Sequence, residues 1–481
     1  MAPLTGFRFR QVGTGPVETR AGALLAMLGA DVVPDDDGPL HGTLDGTGWV
    51  DPTDATTGDA PVVVTAGRQT GLAGWGASGA LALTGRADGP PLLPLGDVAA
   101  GLHAAAAVVE LLSALGGTRV VLDGPALLGE RAALTGATRA GATTVGGAGR
   151  LLPTADGWIV VSLPRETDLE LLPAWLGLEA AGDDTVPWPA VAAVVAGSRS
   201  TPLVAAGREL GLAVAAVPAP GTPSADEQLV ARGQSWPPAP FLLDGALPTG
   251  SGPVPAGALA VRPRPLAGRT VVDLTSLWAG PLATSILAAA GVDVVKVEST
   301  DRPDGARAGD PRFFALLDAG KDHLVLDLAS PDGRAELRRR CAGADLVVEA
   351  SRPRALDQLG VERRAPWCSI TAYGRTGPWA QAVGFGDDAA AAGGLVAWDD
   401  DGPVFVADAA ADPATGLVAA AAALAVLIGA PADVDLALRE VAAHLVATED
   451  AAGPAPDRAG ATSVEVVPPR ARTLPVGVAR P

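Results

Sequence analysis

Lysine is almost missing from this 481-residue chain, which has only Lys296 and Lys321. With 54 acidic against 35 basic residues the formal net charge is −19, so no broad cationic face is available and nucleic-acid binding is excluded on electrostatic grounds. The same deficit removes long-range steering of an anionic substrate. Any anion site must be local, built from backbone amides and a few arginines. Cysteine is as scarce: Cys341 and Cys368 rule out a disulfide scaffold and point to a reducing, cytoplasmic setting. The four histidines, His41, His103, His323 and His444, show no metal-ligand spacing, so no metal site is expected. Aromatics make up 4%, while 48% of residues are hydrophobic, so the core has to be assembled from Ala, Val and Leu. The opening MAPLTGFRFRQVGTG lacks the apolar run of a secretory signal. The longest apolar stretches, residues 98–109 and 416–430, are alanine-rich and too short to span a bilayer. They are expected to be buried helices, with no membrane partner.

What the chain does contain is an internal echo. RAGALLAMLGADVV (residues 20–33) is matched by WAGPLATSILAAAGVDVV (278–295). Each puts an Ala-Gly pair before an apolar helical run, then a glycine turn at Gly29 or Gly291, then a β-branched strand. APVVVTAGR (60–68) parallels ADLVVEASR (344–352). Farther on, an aspartate stands four residues before a glycine that opens an alanine-rich helix, Asp97 with Gly101 and Asp412 with Gly416. The first copy is shorter, but it is followed by a glycine-rich stretch and by RLLPTADGWIVVSL (150–163), which predicts a hairpin turning at Asp-Gly. Strands alternate with helices of about a dozen residues, the pattern of α/β layers around a mostly parallel sheet.

The second copy resembles the class III CoA-transferases, the family of formyl-CoA transferase and carnitine CoA-transferase. VVDLTSLWAGPLATSILAAAGVDVVKVE (271–298), GKDHLVLDLASPDGR from Gly320, ADLVVEASRPRALDQLG from Ala344 and TAYGRTGPWA (371–380) follow the family's motifs in order. The resemblance implies an α/β fold with Rossmann-like parallel-sheet large domains and a smaller α+β domain, here from two tandem copies in an interlocked, pseudo-dimeric chain. The implied boundaries are a degenerate first-copy large domain at 1–130, a small domain with the glycine loop at 131–240 and a linker at 241–265. The second-copy large domain follows at 266–450, then a proline-rich tail at 451–481.

The resemblance also implies the chemistry. Asp412 matches the family's nucleophile, which attacks an acyl-CoA thioester and passes CoA to a carboxylic acid through a mixed anhydride and an aspartyl-CoA thioester. On the residues alone, Asp412 reads first as a helix cap. Asp408 is its local competitor, Asp97 its first-copy twin, and Phe385 occupies the place of the racemase branch's acid/base histidine. Gly146, Gly147 and Gly149 match the loop that closes over the aspartyl intermediates, and this loop is expected to meet Asp412 across the two copies. Candidate CoA contacts are Lys296, Glu298, Arg302, Arg307, Arg352 and Arg354. Ser299, Ala329, Ala350 and Gln358 stand where the family often carries CoA-contacting residues. Acyl-CoA and a carboxylic acid are the implied partners, coenzyme A is a substrate rather than a resident cofactor, and assembly is either a homodimer or a self-contained pseudo-dimer. An α-methylacyl-CoA racemase or epimerase, and a non-catalytic acyl-CoA-binding homologue, are the alternative readings.

Overall fold

The computed structural model describes residues 2–11, 15–34, 62–63, 71–178, 185–220, 225–248, 263–447 and 466–473. Its largest element is a seven-stranded sheet in the order Asp322–Leu326, Asp293–Ser299, Thr270–Leu274, Leu346–Glu349, Trp367–Thr371, Val434–Ala437, Phe241–Leu243. All neighbours pair in parallel except the last, where Phe241–Leu243 runs antiparallel to Val434–Ala437. The expected linker at 241–265 therefore begins as an edge strand of the large sheet. Residues 249–262 lie outside the described part.

The N-terminal third holds a smaller parallel sheet, Asp31–Pro34, Arg8–Gln11 and Val62–Val63 in that order. Its order matches Asp293–Ser299, Thr270–Leu274 and Leu346–Glu349 in the large sheet. The helix-to-strand turns match too. Gly29 (φ 95°) and Gly291 (φ 90°) both adopt the left-handed conformation that a side chain resists. In both, the next residue's N–H reaches back five residues, Ala30 to Leu25 and Val292 to Leu287.

The two alanine-rich runs are helices, Val98–Leu115 and Ala411–Ile428, both apolar and long enough to cross a membrane by length and composition alone. Each is almost entirely enclosed by protein, and they lie against each other. Their small side chains let the backbones approach closely, which replaces the missing aromatics as a way to fill the core. One continuous apolar cluster takes in Leu25, Leu102 and Leu112 from the first third and Leu282, Leu417 and Leu436 from the second half. Segments 1–130 and 266–450 thus share a core.

Residues Gly149–Pro153, Trp158–Ser162 and Ala213–Ala216 form a three-stranded antiparallel sheet, with the predicted hairpin in place. The helices Glu166–Leu176, Trp188–Ala196 and Ser200–Glu209 cover one face through Leu172, Trp175, Val191 and Val204. The other face meets the second half, where Val160 and Ala215 cluster with Ala391, Val396 and Phe405. Within the expected tail, residues 466–473 lie along the first third. Arg470 pairs with Asp123, and Arg472 pairs with the buried Glu130 at 3.2 Å.

Candidate active site

Where the antiparallel unit meets the second half, a cavity of about 500 Å³ opens. Its walls come from both parts of the sequence: Arg131, Val145, Gly146 and Gly149 on one side, Trp278, Phe313, Phe385, Asp387, Asp408 and Asp412 on the other. Asp412 and the glycine loop, more than 260 positions apart in the chain, therefore line one space.

Asp412 is the second residue of the Ala411–Ile428 helix and not its cap; Ala410 holds the cap position and makes no side-chain capping bond. Burial pushes its carboxyl up to about 7, Arg131 pulls it down, Asp387 and Asp408 push it up, and the Gly386 backbone N–H favours its charged form. Gly386 has no alternative here, because a Cβ on it would stand 2.5 Å from Asp412 Oδ2. The free amides of the first helical turn add positive potential where a tetrahedral oxyanion would form.

The approach to this helix is strained. Ala407 (φ 54°) and Ala409 (φ 46°) are left-handed without being glycine, at a cost of roughly 1–3 kcal/mol each. Hydrogen bonds hold them there: the Ala407 N–H donates to Thr84 Oγ1 at 3.1 Å and the Ala409 N–H to Asp387 Oδ1 at 3.0 Å. The twisted backbone turns Asp408 inward, where its carboxylate is fully buried and takes both Nε (2.9 Å) and Nη2 of Arg131. Asp408 is therefore committed to an ion pair. Arg131 also lies 5.0 Å over the ring of Trp278, which itself meets Phe313 edge-on at 4.9 Å.

Asp387 completes the group, its carboxyl pushed up to about 7 by burial and then by Asp408. Behind it Asp388 accepts from the Phe385 N–H at 2.8 Å, and burial raises it to about 8. Phe385 thus lies on the wall as an apolar residue capping the Gly386–Ala392 helix. Arg131 was not legible as a site residue, since its partner Asp408 is 277 positions away. The one available signal was the doubled aspartate of GFGDD, which put a carboxylate near this place. Among the described residues no group of three or more His, Cys, Asp or Glu is arranged to hold a metal.

The glycine loop is a tight turn leading into the Gly149–Pro153 strand. The Gly147 N–H donates to the Thr144 carbonyl at 2.8 Å and the Gly149 N–H to Thr144 Oγ1 at 2.9 Å. A Cβ on Gly149 would press on Thr144 at 2.6 Å, whereas one on Gly146 or Gly147 would meet nothing within 4 Å. Gly146 and Gly149 line the cavity. Open space in front of glycine leaves room for a ligand.

The expected CoA contacts scatter differently. Lys296 is fully buried; its ammonium donates to Asp304 Oδ2 (2.7 Å) and to the Thr275 carbonyl (2.6 Å). Burial works against its charge, and Asp273 and Asp304 more than restore it. Breaking that network to reach a nucleotide would strand a buried carboxylate, so Lys296 is structural. Lys321 is buried likewise, on Asp273 at 3.1 Å. Glu298 is also inside, bonded by the Asp304 N–H at 2.8 Å and by Arg307. Arg307 is half-exposed over Phe314, and Arg302, Arg352 and Arg354 are at the surface. Asp97 lies outside the cavity. It caps the Val98–Leu115 helix, accepting from the Ala100 N–H (2.9 Å) and the Gly71 N–H (3.0 Å).

The sequence model of the family described as CoA-transferase family III matches residues 266–471. Succinate–glutarate CoA-transferase of Agrobacterium fabrum is 32% identical over 218 residues, 39% of this chain and 54% of that protein. The mouse succinyl-CoA:glutarate CoA-transferase is 34% identical over 183 residues, 34% of this chain and 42% of its own. Among solved structures, the hypothetical protein Rv3272 of Mycobacterium tuberculosis is similar at 30% identity, covering 38% of this chain and 57% of its own, with a TM-score of 0.35. The chain spans about half the length of the curated relatives it matches.

Proposed function

Since the chain belongs, through residues 266–471, to CoA-transferase family III, we propose that it moves CoA from an acyl-CoA thioester to a carboxylic acid with Asp412 as nucleophile. The observation that carries this reading is the convergence of Asp412, the Gly386 N–H and the Gly146–Gly149 loop on one cavity. Asp412 carboxylate adds to the thioester carbonyl and the CoA thiolate leaves, giving an aspartyl acyl anhydride. The thiolate then adds to the aspartyl carbonyl, releasing the donor acid and leaving an aspartyl-CoA thioester. The acceptor carboxylate attacks this thioester to form a second anhydride, and the thiolate takes the acceptor acyl group, restoring Asp412. Charge and protons balance without any external acid or base. First-turn amides and the Gly386 N–H would stabilise each oxyanion.

The reading includes a fused pair of copies, cytoplasmic in setting, in which the glycine loop of one serves the nucleophile of the other. The common strand order and the equivalent Gly29 and Gly291 turns support it. The test is chemical trapping. Borohydride added during turnover should reduce an aspartyl thioester, converting Asp412 to an alcohol detectable by peptide mass. CoA transfer with an unmodified Asp412 would move the nucleophile elsewhere. The racemase alternative draws its support from Asp387, a second carboxyl near neutrality in the same cavity. Deuterium uptake at the acyl α-carbon without transfer would favour it.

A further inference from the structure

The cavity carries a charge pattern that bears on the acyl group it accepts. Four carboxyl groups line it, Asp310, Asp387, Asp408 and Asp412, against a single guanidinium, Arg131, and Asp310 is paired with Arg312 at 2.6 Å. One edge of that cation is already engaged: Asp408 takes its Nε and Nη2 as a two-pronged pair, and its face lies over Trp278. Apart from Thr135, Thr144 and Ser162, the remaining walls are apolar, with Leu277, Trp278, Phe313, Phe385, Val145 and Pro164 among them.

From this arrangement we propose that the site selects acyl groups without a distal charge, and that Asp408 is the specificity-determining residue because it occupies the guanidinium a second carboxylate would need. The inference rests on the transferase reading given above. A succinyl or glutaryl chain carries a terminal carboxylate into this space. There it would lose hydration, face the buried carboxyls of Asp387 and Asp412, and find the Nε–Nη2 edge of Arg131 already taken by Asp408. An unpaired charge of that kind is costly, while a branched or aromatic acyl group gains contact with Trp278, Phe313 and Phe385. Selection works by exclusion as much as by attraction. The relatives named for succinate and glutarate would then differ from this chain in acyl preference while sharing its chemistry.

The experiment measures acyl-CoA binding and transfer on the full chain with isovaleryl-, phenylacetyl- and succinyl-CoA. Binding is followed by quenching of tryptophan fluorescence, and transfer to acetate by chromatography. The uncharged thioesters should bind and react about 100-fold better than succinyl-CoA, the scale of a like-charge mismatch in a desolvated site. Asp408→Asn keeps the shape but weakens the hold on Arg131, and should move the preference toward succinyl-CoA by about tenfold. Equal binding of succinyl-CoA by the wild-type chain overturns the proposal, as does an unchanged preference in a folded Asp408→Asn protein. Selective binding of the uncharged thioesters without transfer of any acyl group sinks the transferase reading but supports the selectivity. If Asp408→Asn does not fold, the wild-type binding series decides alone.

Discussion

The helices Val98–Leu115 and Ala411–Ile428 have the same length, a similar alanine-rich face and an aspartate at the N-terminal end, and they lie side by side in one core. Their aspartates are nonetheless in different situations. Asp97 follows Gly96, whose φ of 73° suits glycine, and the turn delivers its carboxylate onto the helix's own amides. Before Asp412 the left-handed positions are Ala407 and Ala409, and the turn carries the carboxylate into the first helical turn, facing a cavity. One carboxylate completes a helix. The other is held near neutrality by burial and by two neighbouring aspartates. Position relative to the cap, by two residues, separates a stabilising group from the proposed nucleophile.

The comparison breaks most easily at the proposed nucleophile. Asp412→Asn should reduce CoA transfer by roughly 10³-fold or more, whereas Asp97→Asn should leave kcat within about twofold. Equal losses from the two would show that both copies carry chemistry. Next in size is the bond between the halves. Arg131→Met strands the Asp408 carboxylate inside the protein and should cost about 3–5 kcal/mol in urea unfolding. A smaller loss would mean that Asp408 escapes to water or takes up a proton. Gly386→Ala puts a methyl where Asp412 Oδ2 sits, and kcat should fall about 100-fold with little change in KM.

The fourth effect is in pH. With its carboxyl at about 7 in the folded chain and 3.8 for an unperturbed aspartate, Asp412 keeps a proton between those values that the unfolded chain has already released. Its contribution to stability is therefore full below about 4 and falls away as pH rises to about 7. The reactive carboxylate appears over the upper part of the same window. Transfer should rise through pH 7, and Asp412→Asn should raise the unfolding midpoint at pH 8 more than at pH 4. A flat rate from pH 6 to 8 would place the ionisation elsewhere. Smallest is the cap itself: Asp97→Ala should cost about 1 kcal/mol of stability, read by thermal unfolding, with activity retained.

The legible part of the fold was whatever local periodicity and turn chemistry determine. The repeated helix, glycine turn and β-branched strand, the Asp-Gly hairpin and the two buried alanine-rich helices were all readable, because each depends on residues within about twenty positions. The position of Asp412 at the head of its helix was equally local. The edge strand Phe241–Leu243 was not, since its partner Val434–Ala437 is nearly 200 residues away and a proline- and glycine-rich context reads as a linker. Lys296 was expected, from the resemblance, to contact CoA, and only the fold shows Asp304 closing over it.

By itself the sequence determined the element pattern, the family motifs and Asp412 as the candidate nucleophile. It also set the charge balance that makes any free cation valuable. Tertiary structure decided which cations stay free. Both lysines are consumed in buried ion pairs, and Arg131 crosses from the first part of the chain to hold Asp408. The Arg131–Asp408 pairing depends on a distance between residues 277 positions apart, and the ionisation of Asp412 depends on how much water its neighbours exclude. Neither quantity exists until the chain has folded.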